Sequence, residues 1–485
     1  MVLLAESRED VQVTFFTGML YSKVMEELGK ISKERLEKVE KRVNVIDVVS
    51  DSPDMFAAPS FEPAFQELYS GSGKITCLTS KKVFANLPKP DFVILDAVAG
   101  YAIEAIRKIA PRGTLPVWTW MTSSLGTTVR EWGPKSLGGR GEEWKKVDDM
   151  NVESPQEKSA RAAQILEDLT DKLVSIPGYP PMYNYEFLPQ EIKVPLALPA
   201  TAFYLGYKYI HENDGFISVT TSVLEKDTTK AWKEYLESLG KEFYEVGFIA
   251  ATANPSKQDG DPEVMGFLQK MQREHGEKSV VYISFGSAWW PGEPEKLFAV
   301  IDELIAHKTP FLISNASPFP FATIPDDVLT KIKESGVGYA MKWAPQDAIL
   351  SHPATGWFLA HGGWNGLQES IRYKVPAIFW PIIGDQPMNA ALMAEKHQAG
   401  FELFSVRGGK GANRPARFAD GQPDPLFTID AVREEFKNVL KKMKGKEGDV
   451  VRRNVEKLSD EIGTLWNEDG ESRKQLDAFL KKHIL

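Results

Sequence analysis

The chain has 485 residues, 42% of them hydrophobic and 26% charged, and a net charge of −9 at pH 7. At about 100–200 residues per domain this length supports two to four domains, and the ordinary charged fraction describes a soluble globular protein. The acidic balance argues against a nucleic-acid partner, and the one cysteine, Cys77, excludes an intramolecular disulfide and any cysteine-cluster metal site.

The opening residues, MVLLAESREDVQ, hold a short apolar run followed by charges. They lack the basic start of a secretory signal. No window reaches the ~18 apolar residues of a membrane span. A single thiol fits a reducing compartment, and the expected location is the cytoplasm. Strands are expected at VQVTFFT (11–17), RVNVIDVV (42–49), DFVILDAV (91–98) and LPVWTW (115–120). Further strands are expected at SVVYISF (279–285), PFLISN (310–315) and PAIFWP (376–381). Runs this apolar suit parallel strands buried on both faces. Helical patterns fill the intervals, among them Ser22 to Lys41 and Pro294 to Ala306. Strands alternating with helices imply doubly wound parallel sheets.

The stretch NPSKQDGDPE (254–263) is rich in proline, glycine and charge and reads as a linker. The expected division is an N-terminal α/β domain over 1–250, a linker over 251–265, a C-terminal α/β domain over 266–460 and a helical segment over 461–485. Residues 407–425 read as a surface loop. Asp259-Gly260-Asp261 is a formal Asp-x-Asp, but it lies in the polar linker and reads as chance; no metal and no cofactor are expected.

The most informative segment is WAPQDAILSHPATGWFLAHGGWNGLQESIRYKVPAIFWPIIGDQ, from Trp343 to Gln386. A strand, TGWFLA, ends in His361-Gly362-Gly363, and a helix follows. The first N–H groups of such a helix are unpaired and its dipole favours negative charge, so the turn can hold an anion. After the strand PAIFWP comes Gly384-Asp385-Gln386. A carboxylate beside an amide suits a hydroxyl-rich ligand.

In type and spacing this segment resembles the signature box of the family 1 UDP-dependent glycosyltransferases. The resemblance implies the GT-B fold, two Rossmann-like α/β domains facing a cleft, with a C-terminal helix packing back toward the N-terminal domain. It also implies a UDP-sugar donor and a small lipophilic hydroxyl acceptor. Residue by residue, it implies that Trp343, with Ala344 beside it, stacks on uracil. Gln346 and Glu369 then meet the ribose. His361, Gly363, Trp364, Asn365 and Gly366 meet the diphosphate, and Asp385 and Gln386 hold the sugar. Plant members usually carry serine where this chain has Gly366, and Gln386 there favours glucose. Gly286-Ser287, in SFGSAWW, resembles the family's second phosphate loop, and IPGYPPMYNYEFLP (176–189) resembles its acceptor-side loop.

Inverting transfer needs a base for the acceptor hydroxyl, a group that orients the base, and donors aimed at the leaving diphosphate. The resemblance places Asp96, at the end of DFVILD, as the carboxylate that orients a catalytic histidine; the alternative is a helix N-cap. That histidine belongs in a Gly-His turn after the family's first strand. Here the earliest histidine is His211. The pattern reads as a member without that strand, its turn and most of the first helix, and the expectation is an impaired enzyme. Two other readings fit the segment: a non-catalytic UDP-sugar binder, and a sterol or lipid glucosyltransferase.

Overall fold

The computed structural model describes residues 1–484 except 19, 51–57, 72, 98, 151–154, 194, 250–259 and 318–322. Most of the linker stretch lies outside the described residues. Twelve parallel strands carry the architecture. In the first half they are β1 (Val13–Thr17), β2 (Val43–Asp47), β3 (Val93–Asp96), β4 (Val117–Met121), β5 (Gly215–Ser218) and β6 (Glu242–Glu245). In the second they are β7 (Val280–Ser284), β8 (Phe311–Ser314), β9 (Gly338–Met341), β10 (Thr355–Ala360), β11 (Ala377–Phe379) and β12 (Gly400–Glu402).

The second half is one six-stranded sheet in the order β9-β8-β7-β10-β11-β12, all parallel. Its middle strands are continuous apolar runs with every residue buried. The strand order reverses between β7 and β10, which pair Ser284 with Ala360 at their carboxyl ends. Open α/β sheets bind ligands in the crevice outside such a switch point.

The first half is divided. β1 pairs with β2 from Val13↔Val43 to Thr17↔Asp47. A separate sheet runs β6-β5-β4-β3. One core joins them: Ile46 and Val48 near β2 pack with Leu95, Val117, Ile103 and Phe65. Among the described residues no strand bridges β1 and β3. This corrects one expectation. β1 has no buried residue and β3 has only Leu95, although both sequences read as strands buried on two faces. Each of these two strands has a single hydrogen-bonded neighbour, and what packs on its faces leaves it only partly covered.

Ser22 to Lys41 is two helices, Tyr21–Gly29 and Lys33–Val39, while Pro294–Ala306 is a single helix as expected. The last helix, Glu471–His483, returns to the first sheet. Phe479 meets Trp118 edge-on at 5.2 Å and Tyr244 at 5.4 Å, and His483 lies 3.4 Å from Glu242.

The expected surface loop at 407–425 is partly interior. Arg407 is 0% exposed. It bonds Glu186 and Glu402 at 3.2 and 3.1 Å, and Arg417 bonds Glu402 at 2.6 Å. Glu186 also accepts the Ala416 N–H at 2.8 Å, and Lys296 donates to the Arg407 carbonyl at 2.7 Å. Gly408 N–H bonds Pro189 O at 2.9 Å. Composition suggested a solvated loop, but paired and hydrogen-bonded charges can be buried.

Candidate active site

The strand-end turns after β7 and β10 face each other. The first carries Gly286 and exposed Ser287; the second carries His361, Gly362 and Gly363. A Cβ on Gly286, whose φ is +73°, would lie 2.9 Å from His361 Cε1, and one on Gly363 would lie 2.6 Å from His361 Nε2. Only glycine lets the imidazole sit between the two turns. His361 Nδ1 is sealed from solvent with no hydrogen-bond partner. Burial holds the ring's pKa down to about 4, so the imidazole is neutral at pH 7. A proton on Nδ1 would be buried without an acceptor, so the favoured tautomer carries it on Nε2, between the glycines.

The helix Trp364–Arg372 begins at this turn with Gly363 as N-cap and no side-chain cap. The Trp364 indole is core: it is 3% exposed and meets Phe248 edge-on at 5.8 Å. The Trp364 N–H, expected to face a phosphate, is taken by Asp385 Oδ2 at 2.8 Å. The next residue, Asn365, is exposed at the helix start. A Cβ on Gly366 would meet Phe358 at an ordinary 3.6 Å, so a serine would fit there.

Asp385 also accepts from Asn389 Nδ2 at 2.9 Å, and the same Nδ2 bonds Gly362 O at 2.9 Å. Asn389, which sequence reasoning missed, ties the turn after β10 to the turn after β11; its signal was its place four residues after Asp385 on the helix Gln386–Ala391. Burial pushes the Asp385 pKa up to about 6 against these hydrogen bonds. Gln386 is 3% exposed, and its Oε1 accepts Ile382 N–H at 2.9 Å and Ile383 N–H at 3.1 Å. The amide oxygen is thereby spent on its own turn, which leaves the NH₂ as the group that could meet a ligand.

At the other end Trp343 presents a face 62% exposed, with Ala344 partly buried behind it. Gln346 donates to Glu369 and accepts from Tyr282 Oη at 3.1 Å. Burial raises the Glu369 pKa to about 7 against the Gln346 hydrogen bond. Tyr282 is a second residue that sequence reasoning missed; it reads as a core aromatic of β7. Asp96 ends β3, four residues before the helix Gly100–Ile109, whose N-cap is Ala99 and not Asp96. Its charge is felt at Tyr101.

Fold and pocket together define a nucleotide-sugar transferase of the GT-B kind. Residues 242–407 match the family model described as UDP-glucoronosyl and UDP-glucosyl transferase. The UDP-glycosyltransferase eriJ of Hericium erinaceus is 28% identical over 505 residues, covering 99% of this chain and 94% of the relative. Anthocyanidin 3-O-glucosyltransferase 5 of Manihot esculenta is 29% identical over 328 residues, covering 63% of this chain and 61% of the relative. The solved structure of Medicago truncatula UGT71G1 with UDP-glucose superposes with a TM-score of 0.67 at 20% identity, covering 99% of this chain and 93% of that one. The chain thus resembles the family 1 UDP-dependent glycosyltransferases, through the family match over residues 242–407 and a relative that aligns over nearly its whole length. Among the described residues no helix is long and apolar enough to cross a membrane.

Proposed function

We propose that the chain transfers glucose from UDP-glucose to a hydroxyl of a small lipophilic acceptor, with inversion, in the cytoplasm and without a cofactor. The observation that carries this is the continuous pocket from Trp343 to Gln386, built across the switch point between β7 and β10. Trp343 offers the face for the base, and Gln346 and Glu369 stand next along for the ribose. The Nε2–H of His361, the Ser287 hydroxyl and the N–H groups of Asn365 and Gly366 are placed for the diphosphate. They act when charge develops on the leaving UDP, and donors already aimed at that charge need no rearrangement. Asp385 and the Gln386 NH₂ take the sugar hydroxyls. The glucose relatives and the Gln386 amide support the donor, and the single buried thiol, Cys77, supports a reducing location.

The acceptor proton needs a base, and residues 1–210 contain no histidine. Asp96 is proposed as an orienting carboxylate whose imidazole partner is not among these residues. That favours one second reading, donor binding without turnover. Calorimetry with UDP-glucose and an acceptor-glycosylation assay on residues 1–485 separate the two: heat with product supports transfer, and heat without product supports binding alone. No heat at all defeats both.

Trp343→Ala is expected to weaken UDP by roughly 5- to 150-fold, since stacking on an aromatic contributes about 1–3 kcal/mol per base. Its thermal midpoint should be unchanged, because the side chain is 62% exposed. Unchanged UDP affinity would remove Trp343 from the pocket.

A further inference from the structure

The proposed donor pocket lacks positive charge. Gly286, Ser287, Gly363 and Asn365 are uncharged, and His361 is kept neutral by burial. Glu369 and Asp385 bring carboxyl groups to its two ends. A nucleoside diphosphate is an anion, and hydrogen bonds to it strengthen when the donor is a cation. A cation does reach this pocket, and it comes from the first half of the chain. Lys23 lies on the helix Tyr21–Gly29, which has no buried residue. Its Nζ is 5.9 Å from the centre of the Trp343 ring, and its charge is felt at Glu369 across the cleft. Among the described residues Lys23 makes no ion pair. Arg372, the other cation felt at Glu369, is stacked over Tyr373 at 5.2 Å.

We infer that Lys23 is a donor-binding residue contributed by the first half of the chain, whose ammonium pairs with the charge of a nucleoside diphosphate stacked on Trp343. The inference rests on the pocket proposed above. The ammonium stands over the tryptophan face that a base would cover, at the end of a flexible four-carbon stem on an exposed helix. It is free to exchange that face for the anion. Two consequences follow from the chemistry. Lys23 should discriminate UDP from uridine, which lacks the charge. Its contribution should also fade with salt, because it acts from an exposed site.

The test is calorimetric titration of the full chain with UDP and with uridine, at low salt and at about 0.5 M salt, where screening reaches within a few ångströms. The variants are Lys23→Gln, Lys23→Arg and Trp343→Ala. Lys23→Gln should weaken UDP about fivefold at low salt, as expected for one partly solvated charge contact, and much less at high salt. Uridine affinity should be unchanged, and Lys23→Arg should restore UDP binding. The inference is overturned if Lys23→Gln binds UDP like the parent while Trp343→Ala loses it. Equal weakening of uridine and UDP also overturns it, because the role is then stacking and not charge. If Trp343→Ala and Lys23→Gln both bind UDP like the parent, the pocket reading fails first and takes this inference with it.

Discussion

Arg407→Ala is expected to lower the unfolding free energy by about 3–5 kcal/mol, the usual result of removing one partner from a buried charge cluster. Arg407 faces Glu186 and Glu402, both essentially inaccessible to solvent. Without it Glu186 keeps its N–H donors from Tyr183 and Ala416 but loses its nearest cation. Arg417 stands 4.0 Å from Glu186 and is already engaged with Glu402 at 2.6 Å. The comparison is Lys437→Ala, which breaks the exposed pair with Glu434 at 2.8 Å and should cost far less, because solvent screens an exposed pair. Chemical denaturation at pH 7 measures both. A loss at Arg407 no larger than at Lys437 would mean that the cluster contributes nothing net.

The second large effect concerns turnover. Asp385→Asn should lower kcat/KM for UDP-glucose by roughly 100-fold or more, the scale on which aimed polar groups act in transfer reactions. One carboxylate oxygen is held by Trp364 N–H and Asn389, which leaves the other for sugar hydroxyls. The proposed role requires the ionised form, since a protonated oxygen stops accepting. With the pKa pushed up to about 6, donor affinity should fall as pH drops below about 6, and Asp385→Asn should flatten that limb. Stability runs the other way. A carboxyl whose folded pKa lies above its ordinary 3.8 binds its proton more tightly when folded. Its contribution to stability is therefore lost as pH rises through the window from 3.8 to about 6. Titrations of UDP-glucose binding between pH 5 and 8 check the first limb. A pH-independent affinity in the parent would remove Asp385 from the sugar site.

Much of this was legible in the sequence because it is local. TGWFLA is β10 to the residue, and the turn and helix after it follow from glycine and helix-end chemistry. The rest depends on partners far along the chain. β1 and β3 carry apolar runs that read as buried, but burial is decided by what packs on their faces from elsewhere in the chain. No local pattern shows that Glu186 will neutralise Arg407, 221 residues away. Nor does it show that Asp385 will take the Trp364 N–H, or that the Gln386 oxygen will be spent on Ile382 and Ile383. Lys23 lies on a short amphipathic helix and gains its significance only from what stands across the cleft.

The Glu186–Arg407 cluster has a mechanical consequence. It is joined by bonds from Gly408 to Pro189, Gln190 to Val406, Tyr185 to Arg414 and Lys396 to Gly178. The segment from Gly178 to Gln190 is thereby fastened to the second half, although in sequence it belongs to the first. Any relative motion of the two halves would have to carry that segment with the second half or break these bonds. In space, the boundary between the halves therefore runs through the first half's own polypeptide at this segment.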